Sequence, residues 1–135
     1  MPVKVAEEFL VHVKVLDDQH AQLFDLIDRL NTAIVSGKGP QIVEKTLAEL
    51  CDYAHVHFEE EEGLMKKAGY AALSAHRVAH RDFIAKIEGW MKEAAAGRKQ
   101  TLTGEIAAFL NDWLRKHIRI ADQQYVGILH AKGIK

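Results

Sequence analysis

The sequence predicts an all-α protein, an antiparallel up-down four-helix bundle with an extended N-terminal arm. The chain has only two prolines, Pro2 and Pro40, so its helices can run long without a kink. Glycines divide it into four segments of helical length, at Gly37, Gly39, Gly69 and Gly97. Each segment repeats apolar residues every three or four positions, and short connections between long amphipathic helices are typical of such a bundle.

The first element is expected to be an arm over residues 1–16, because "FLVHVKV" alternates apolar and polar residues with a period of two. The bundle then spans residues 17–135 as a single domain. Helix A is predicted from about Asp18 to Ser36, with Asp17 or Asp18 as the N-cap residue.

Three further helices follow. Helix B is predicted to begin at Pro40, a favourable first-turn residue, and to end near Ala68. Helix C covers residues 71–96 and helix D covers residues 102–129.

Composition excludes several classes of protein. A formal net charge of −1 gives no reason to expect a nucleic acid or an anionic membrane as a partner. The longest apolar run, residues 106–110, is far shorter than the roughly 20 residues of a membrane span. The start of the chain lacks a signal-peptide pattern, and Cys51, the single cysteine, suits a reducing compartment. A cytoplasmic protein is expected, and the sequence does not indicate a protein partner.

Polar residues interrupt the apolar stripes of all four helices. Six of them take positions that the helical period assigns to the core: His20, His57, Glu61, His76, His80 and His117. One buried imidazole needs only one hydrogen bond, but a buried, unpaired carboxylate costs several kcal/mol. Bound metal ions would satisfy all six groups together.

The spacing of these residues agrees with a metal site. His57 and Glu61 are four positions apart, as are His76 and His80, so each pair projects from one helix face about one turn apart. The two residues of each pair can chelate an ion side by side. In an antiparallel bundle, residues late in helices B and D meet residues early in helices A and C, so the two pairs can face each other.

Asp122 departs from the helical phase. It follows His117 by five positions, which is roughly 140° around an ideal α-helix. It either faces solvent, or helix D contains a π-type bulge after His117 that returns Asp122 to the ligands. The spacing alone leaves both interpretations open.

The four motifs that carry these residues resemble the hemerythrins, particularly the single-domain bacteriohemerythrins. They are "DDQH" at 17–20, "HFEEE" at 57–61, "HRVAH" at 76–80 and "HIRIAD" at 117–122, and the resemblance covers nearly the whole chain. It implies a non-haem centre of two iron ions (Fe²⁺/Fe³⁺) that binds dioxygen. It also favours Asp122 as a ligand.

Residue by residue, the resemblance implies a complete ligand set. His76, His80 and His117 would hold one iron, and His20 and His57 the other, which keeps an open position. Glu61 and Asp122 would bridge the irons together with a hydroxide or oxide. An oxygen pocket would be walled by Phe58, Leu114 and Ile118. The chain departs from the family at Lys4, where many bacterial members have tryptophan, and at Lys14, where glycine is usual.

The expected function is reversible dioxygen binding, as a carrier, store or scavenger, and not catalysis. One alternative is a di-iron enzyme that reduces peroxide or nitric oxide. Others are an oxygen-sensing module that acts through a separate partner, and a metal-free or zinc-bound interaction module. Apart from the ligands no general acid or base stands out, which disfavours elaborate substrate chemistry.

Overall fold

The computed structural model describes residues 7–97 and 99–135, apart from the side chains of residues 8 and 99–102. Within these ranges the chain forms helices and turns and no strand. A 3₁₀ turn, Glu7–Phe9, precedes four long helices: α1 (Lys14–Val35), α2 (Gly39–Ala68), α3 (Leu73–Ala95) and α4 (Lys99–Lys116). The chain then continues as a π turn (His117–Ala121), a 3₁₀ turn (Asp122–Tyr125) and the short helix α5 (Val126–Ala131).

The predicted all-α four-helix bundle is confirmed. Helix α2 packs along both α1 and α3, and α4 contacts all three. None of the helices in the described ranges has the length and apolarity needed to cross a membrane.

Two apolar clusters fill the bundle. The larger one lies on one side of the polar residues and includes Leu30, Leu47, Leu50, Ile87 and Leu110. The smaller one lies on the other side and comprises Val11, Val13, Leu16, Met65, Ala68, Tyr125 and Leu129. On every helix the inward polar residues separate most of the larger cluster from the smaller one, and two members of the larger cluster, Phe58 and Ile118, lie within the polar stretches. Apolar packing therefore closes the polar layer from both ends.

The predicted start of helix A was wrong. Helix α1 begins at Lys14, four residues before the predicted Asp18, and its N-cap residue is Val13. Asp17 is not a cap; its carboxylate accepts hydrogen bonds from the backbone N–H groups of Val11 and His12 at 2.8 and 3.0 Å. This carboxylate ties the preceding segment to the first turn, so the helix starts earlier than the polar residues suggest.

The N-terminal arm is only partly described. Residues 1–6, which include Lys4, lie outside the described residues, and residues 14–16 of the predicted arm are helical. The alternation holds where it can be seen, since Val11 and Val13 are buried and His12 is exposed. Lys14 pairs with Asp18 at 3.0 Å on the surface. The division into an arm (1–16) and a bundle domain (17–135) stays a prediction.

Helix D differs from a continuous α-helix in the way that one interpretation of Asp122 required. Residues His117–Ala121 form a π turn, and Asp122 is fully buried, with 0% of its surface exposed. A π turn adds one residue per turn, so a residue five positions on returns to the same face of the helix. The interpretation of Asp122 as a solvent-facing residue is therefore excluded.

Candidate metal centre

The seven sequence-predicted polar residues meet in one buried layer between the two apolar clusters. None exposes more than 8% of its surface. Helix α1 supplies one residue, α2 and α3 supply two each, and the π turn and the 3₁₀ turn after α4 supply one each: His20; His57 and Glu61; His76 and His80; His117; Asp122.

Three imidazoles gather on one side of the layer. The Nε2 atoms of His76 and His80 lie 3.1 and 3.0 Å from Oε1 of Glu61. The Nε2 atoms of His76 and His117 lie 2.9 and 3.1 Å from Oδ1 of Asp122. The Nε2 atoms of His80 and His117 are 3.1 Å apart. Five donor atoms thus converge, all within 4.8 Å of one another.

Two imidazoles gather on the other side and face the remaining carboxylate oxygens. The Nε2 atoms of His20 and His57 each lie 3.5 Å from Oε2 of Glu61. His20 Nε2 also lies 3.3 Å from Oδ2 of Asp122. Each carboxylate therefore turns one oxygen toward the group of three histidines and the other oxygen toward the group of two.

Burial and the facing charges set the protonation of the layer. Burial lowers the pKa of His20 and His76, but the carboxylates of Asp122 and Glu61 outweigh it and raise both to about 9. For His57 burial prevails, and its pKa is lowered. Burial raises the pKa of both carboxyl groups, yet the imidazoles lower that of Glu61 well below its usual range and also lower that of Asp122. Glu61 and Asp122 are thus anionic.

Protein groups alone leave part of this layer without hydrogen bonds. Both ring nitrogens of His20 and both carboxylate oxygens of Asp122 are buried without a hydrogen bond. An unpaired buried polar group costs about 1–3 kcal/mol, and more when it is charged. Cations placed between the imidazole and carboxylate groups would satisfy these atoms, so the residues present fit a metal centre.

Three neighbouring polar side chains fix the orientation of the site residues. Gln19 Oε1 lies 2.7 Å from Nδ1 of His57, and Glu62 Oε2 lies 2.8 Å from Nδ1 of His80. With Nδ1 as the donor, the Nε2 lone pair of each ring points into the layer. The Tyr125 hydroxyl donates a 2.9 Å hydrogen bond to Oε2 of Glu61, and burial raises its pKa well above the usual value, so it stays protonated.

The sequence pattern indicates only one of these three contacts. From its place one turn after Asp122, Tyr125 is expected either to donate a hydrogen bond to a ligand or to anchor the last helix, and the structure shows the hydrogen bond. Nothing in the pattern indicates Gln19, and the interpretation of Glu62, with Glu59 and Glu60, as a solvated face is wrong for Glu62, which contacts His80. Glu62 also accepts a hydrogen bond from Nε of Arg77 at 3.1 Å. Both contacts cross between helices, so spacing within one helix carries no signal for them.

Aromatic and aliphatic side chains surround the layer. The ring of Phe58 stacks on that of His80 with centroids 3.7 Å apart, and Trp113 stacks on His117 at 4.5 Å. Leu114 and Ile118 are buried, with 3% and 0% of their surfaces exposed. All three predicted pocket residues belong to the larger apolar cluster, and their role in an oxygen pocket stays a prediction.

The remaining histidines lie apart from this layer. His12 and His55 are exposed, and His130 is half-buried, with its ring 3.0 Å from the backbone oxygen of His12. None of the three joins the seven site residues.

The donor set has the form of a site for two cations. One group offers three imidazole nitrogens and two carboxylate oxygens, and the other offers two nitrogens and the remaining two oxygens of the same carboxylates. Imidazole with carboxylate suits iron, and ligand type alone also admits zinc or manganese. The group of two histidines has one protein donor fewer than the group of three.

Known proteins share this sequence pattern. The family model described as the hemerythrin HHE cation binding domain matches residues 11–129. A bacteriohemerythrin of Methylococcus capsulatus is 34% identical over 93% of this chain and 95% of its own length. A bacteriohemerythrin of Pseudomonas aeruginosa is 34% identical over 84% of this chain and 72% of its own length. A hemerythrin-like protein of Naegleria gruberi is 30% identical over 95% of this chain and 94% of its own length.

Solved structures share the fold. A crystal structure of wild-type hemerythrin is 33% identical, covers 94% of this chain and 96% of its own, and has a TM-score of 0.80. A leucine-to-tyrosine mutant of hemerythrin has the same TM-score, 0.80, at 32% identity.

Proposed function

The chain belongs to the hemerythrin family, and on that premise we propose that it binds dioxygen reversibly at a non-haem di-iron centre. The names of its relatives point to oxygen binding rather than catalysis. The role that fits is that of an oxygen carrier, store or scavenger. A cytoplasmic location stays a prediction, and no protein partner is predicted.

The proposed ligands are the seven residues of the buried layer. His76, His80 and His117 would hold one iron, His20 and His57 would hold the other, and Glu61 and Asp122 would be shared between the two irons together with a hydroxide or oxide. The observation that carries this proposal is the division of the carboxylate oxygens. Oε1 of Glu61 lies within 3.1 Å of two imidazoles in the first group, and Oε2 lies 3.5 Å from both imidazoles in the second.

Charge supports two divalent ions. Glu61 and Asp122 are anionic, and imidazoles lose their extra proton when they bind metal. With five neutral imidazoles, two ferrous ions and one hydroxide would therefore leave the centre near +1. When bound, ferrous iron supplies the electrons and the open coordination position that dioxygen binding needs. A centre rich in histidine holds less negative charge than a carboxylate-rich one, and we infer that it favours binding over further oxidation chemistry.

The residues around the centre control access of water and protons. Phe58, Leu114 and Ile118 form the apolar wall of the oxygen pocket in this proposal, and all three are buried. The Tyr125 hydroxyl keeps its proton and donates a hydrogen bond to Oε2 of Glu61. Glu62, the other acid–base group that the described residues place beside the ligands, is already engaged by His80 and Arg77. The site is thus equipped to hold a small apolar molecule and poorly equipped to turn over a substrate.

An oxygenation cycle tests this function. The iron-loaded, reduced protein is exposed to dioxygen and then flushed with argon while its visible spectrum is followed. We expect an absorption band that appears with oxygen, disappears under argon and returns over repeated cycles. A band that decays at once, with peroxide or nitric oxide consumed on addition, would replace the proposal with a di-iron enzyme.

A further inference from the structure

We propose that Cys51, His55 and Glu88 form a second metal site on the outside of the bundle, which takes one divalent ion of the zinc class. This site is separate from the di-iron centre and goes beyond the dioxygen function. It joins α2 to α3, because Cys51 and His55 lie on the first helix and Glu88 lies on the second.

The three donors are already close together. One ligand atom from each residue lies within 4.8 Å of the other two. Ligand bonds to zinc of about 2.0–2.3 Å place neighbouring donors about 3.5 Å apart in a tetrahedron. The side chains of His55 and Glu88 are exposed, so their rotation can close this gap without moving the helices.

The helical spacing favours chelation. Cys51 and His55 are four positions apart, one turn along the same face of α2. The third donor comes from the facing helix, so an ion here would be held across the α2–α3 contact. Three protein ligands with a fourth position left to water is the arrangement of zinc sites that remain open to exchange.

Charge also favours a divalent cation. A thiolate and a carboxylate carry two negative charges and the imidazole carries none, so one divalent ion neutralises the set. Thiolate combined with imidazole selects zinc over magnesium or calcium. The chemistry of the three donors, rather than their negative charge alone, identifies the class of ion.

The site is reachable from solvent. His55 and Glu88 line an open groove of about 370 Å³ between α2 and α3, which Glu59, Glu62 and Arg81 also line. Cys51 is 7% exposed and does not line the groove, but its Sγ atom lies within 4.8 Å of a ligand atom of both His55 and Glu88. An ion that enters the groove therefore meets His55 and Glu88 first, with the thiol next to them.

A reactive cysteine is a weaker explanation of the same cluster. Burial raises the pKa of the Cys51 thiol, and Glu88 and Asp52 raise it further. A reactive thiol needs the opposite, a lowered pKa beside positive groups. The same surroundings become favourable once a cation is present.

The experiment uses the reduced, iron-loaded protein, titrated with Co²⁺ under argon and followed by near-ultraviolet absorption. Cobalt bound to a thiolate gives an intense absorption band, and Cys51 is the single cysteine of the chain, so the band has one possible source. We expect a saturable band with one Co²⁺ per chain, which Zn²⁺ abolishes by displacement. This signal does not depend on dioxygen, so a failure of this test can be distinguished from a failure of the oxygenation cycle.

Substitutions identify the other two ligands. His55→Gln and Glu88→Gln change exposed residues, so both variants should fold. Each should weaken Co²⁺ binding by roughly tenfold or more, since even the loss of a residue that only supports a ligand costs that much. Glu59→Gln removes the same charge from the same groove and should bind like the wild type. Absence of the band in the wild type, or binding by both His55→Gln and Glu88→Gln as tight as in the wild type, would overturn the site.

Discussion

At the scale of the residue, a few polar side chains orient the buried imidazoles toward the carboxylates of Glu61 and Asp122. The inward-facing nitrogen is Nε2 for all five histidines of the layer. For His57 and His80 the opposite nitrogen is held by Gln19 and Glu62. Such contacts fix the tautomer and the ring angle, and their loss typically weakens metal binding by about 10–100-fold.

Glu62→Gln tests this role. The amide keeps the shape of the side chain but removes the charge that holds Nδ1 of His80 at 2.8 Å. We expect iron affinity to fall by about 10-fold or more, measured by competition with a chelator. Glu60→Gln is the matched control, because Glu60 is exposed on the same helix, and it should bind iron like the wild type. Equal affinities for the two variants would contradict the role of Glu62.

The sequence allowed the ligands to be predicted better than the residues that support them. Glu61 and the five histidines stand out because they interrupt an apolar period, and each does so within its own helix. Glu62 sits next to Glu61 and, by period, belongs to the outer face, yet it reaches across to α3. Contacts between helices depend on their distance and rotation, which one-dimensional spacing does not contain.

At the scale of the element, the π turn is the feature that completes the site. His117–Ala121 takes one residue more than an α-helical turn, so Asp122 shares a face with His117 although five positions separate them. The family resemblance favoured this outcome, while spacing alone was undecided. A single helical period cannot reveal a local change of period, and for this reason the bulge could not be derived from the pattern.

Deletion of Ile120 tests the geometry of the π turn. Ile120 is 55% exposed, and its removal leaves Asp122 four positions after His117, the spacing at which a regular α-helix keeps both on one face. We expect iron content per chain to be retained. Deletion of Asp112, an exposed residue of regular α4, is the comparison. It should rotate His117 and Asp122 by about 100° relative to the helix before the deletion, and the variant should lose iron. Equal loss in both deletions would contradict the register argument.

The connection between α1 and α2 depends on one glycine. A Cβ atom at Gly39 would lie 2.6 Å from Cγ2 of Thr103 and 3.1 Å from Cγ1 of Ile34. Gly39→Ala should therefore lower the free energy of unfolding, by about 1–3 kcal/mol, in urea titrations. Gly89→Ala has open space around it in α3 and should raise stability by about 0.5–1 kcal/mol. A stabilising Gly39→Ala would show that Gly39 of α2 is not in close contact with Thr103 of α4 and Ile34 of α1.

The helices themselves were largely predictable. Apolar period, Pro40 and the glycines located α2 and α3 to within two residues at each end. The start of α1 was missed because Asp17, which looks like an N-cap, bonds backwards to Val11 and His12. Capping residues mark helix starts only when the bonds they make run forward into the helix.

At the scale of the whole molecule, the buried polar layer makes the stability of the metal-free protein depend on pH. The raised pKa values of His20 and His76, about 9, mean that the folded state binds more protons than the unfolded state above pH of about 6.5. Stability from these two groups is present below that pH and is lost as pH rises through about 9. On the acid side, Glu61, Asp122 and His57, whose pKa values are lowered, lose their contribution as pH falls.

Urea unfolding of metal-free protein at pH near 6.5 and near 9 measures this effect. We expect lower stability at the higher pH. The iron-loaded protein should behave differently, because imidazoles must be deprotonated to bind metal and binding strengthens with pH. A metal-free protein that gains stability between these two pH values would contradict the charge assignment of the layer.

In the proposed function, one polar layer, sealed between two apolar clusters, holds two iron ions. Iron quantitation on the purified protein after anaerobic reconstitution, with excess metal removed, tests this most directly. The predicted result is two irons per chain, since the carboxylate oxygens of Glu61 and Asp122 divide between two groups of histidines. A plateau at one iron per chain, or none, would contradict the account.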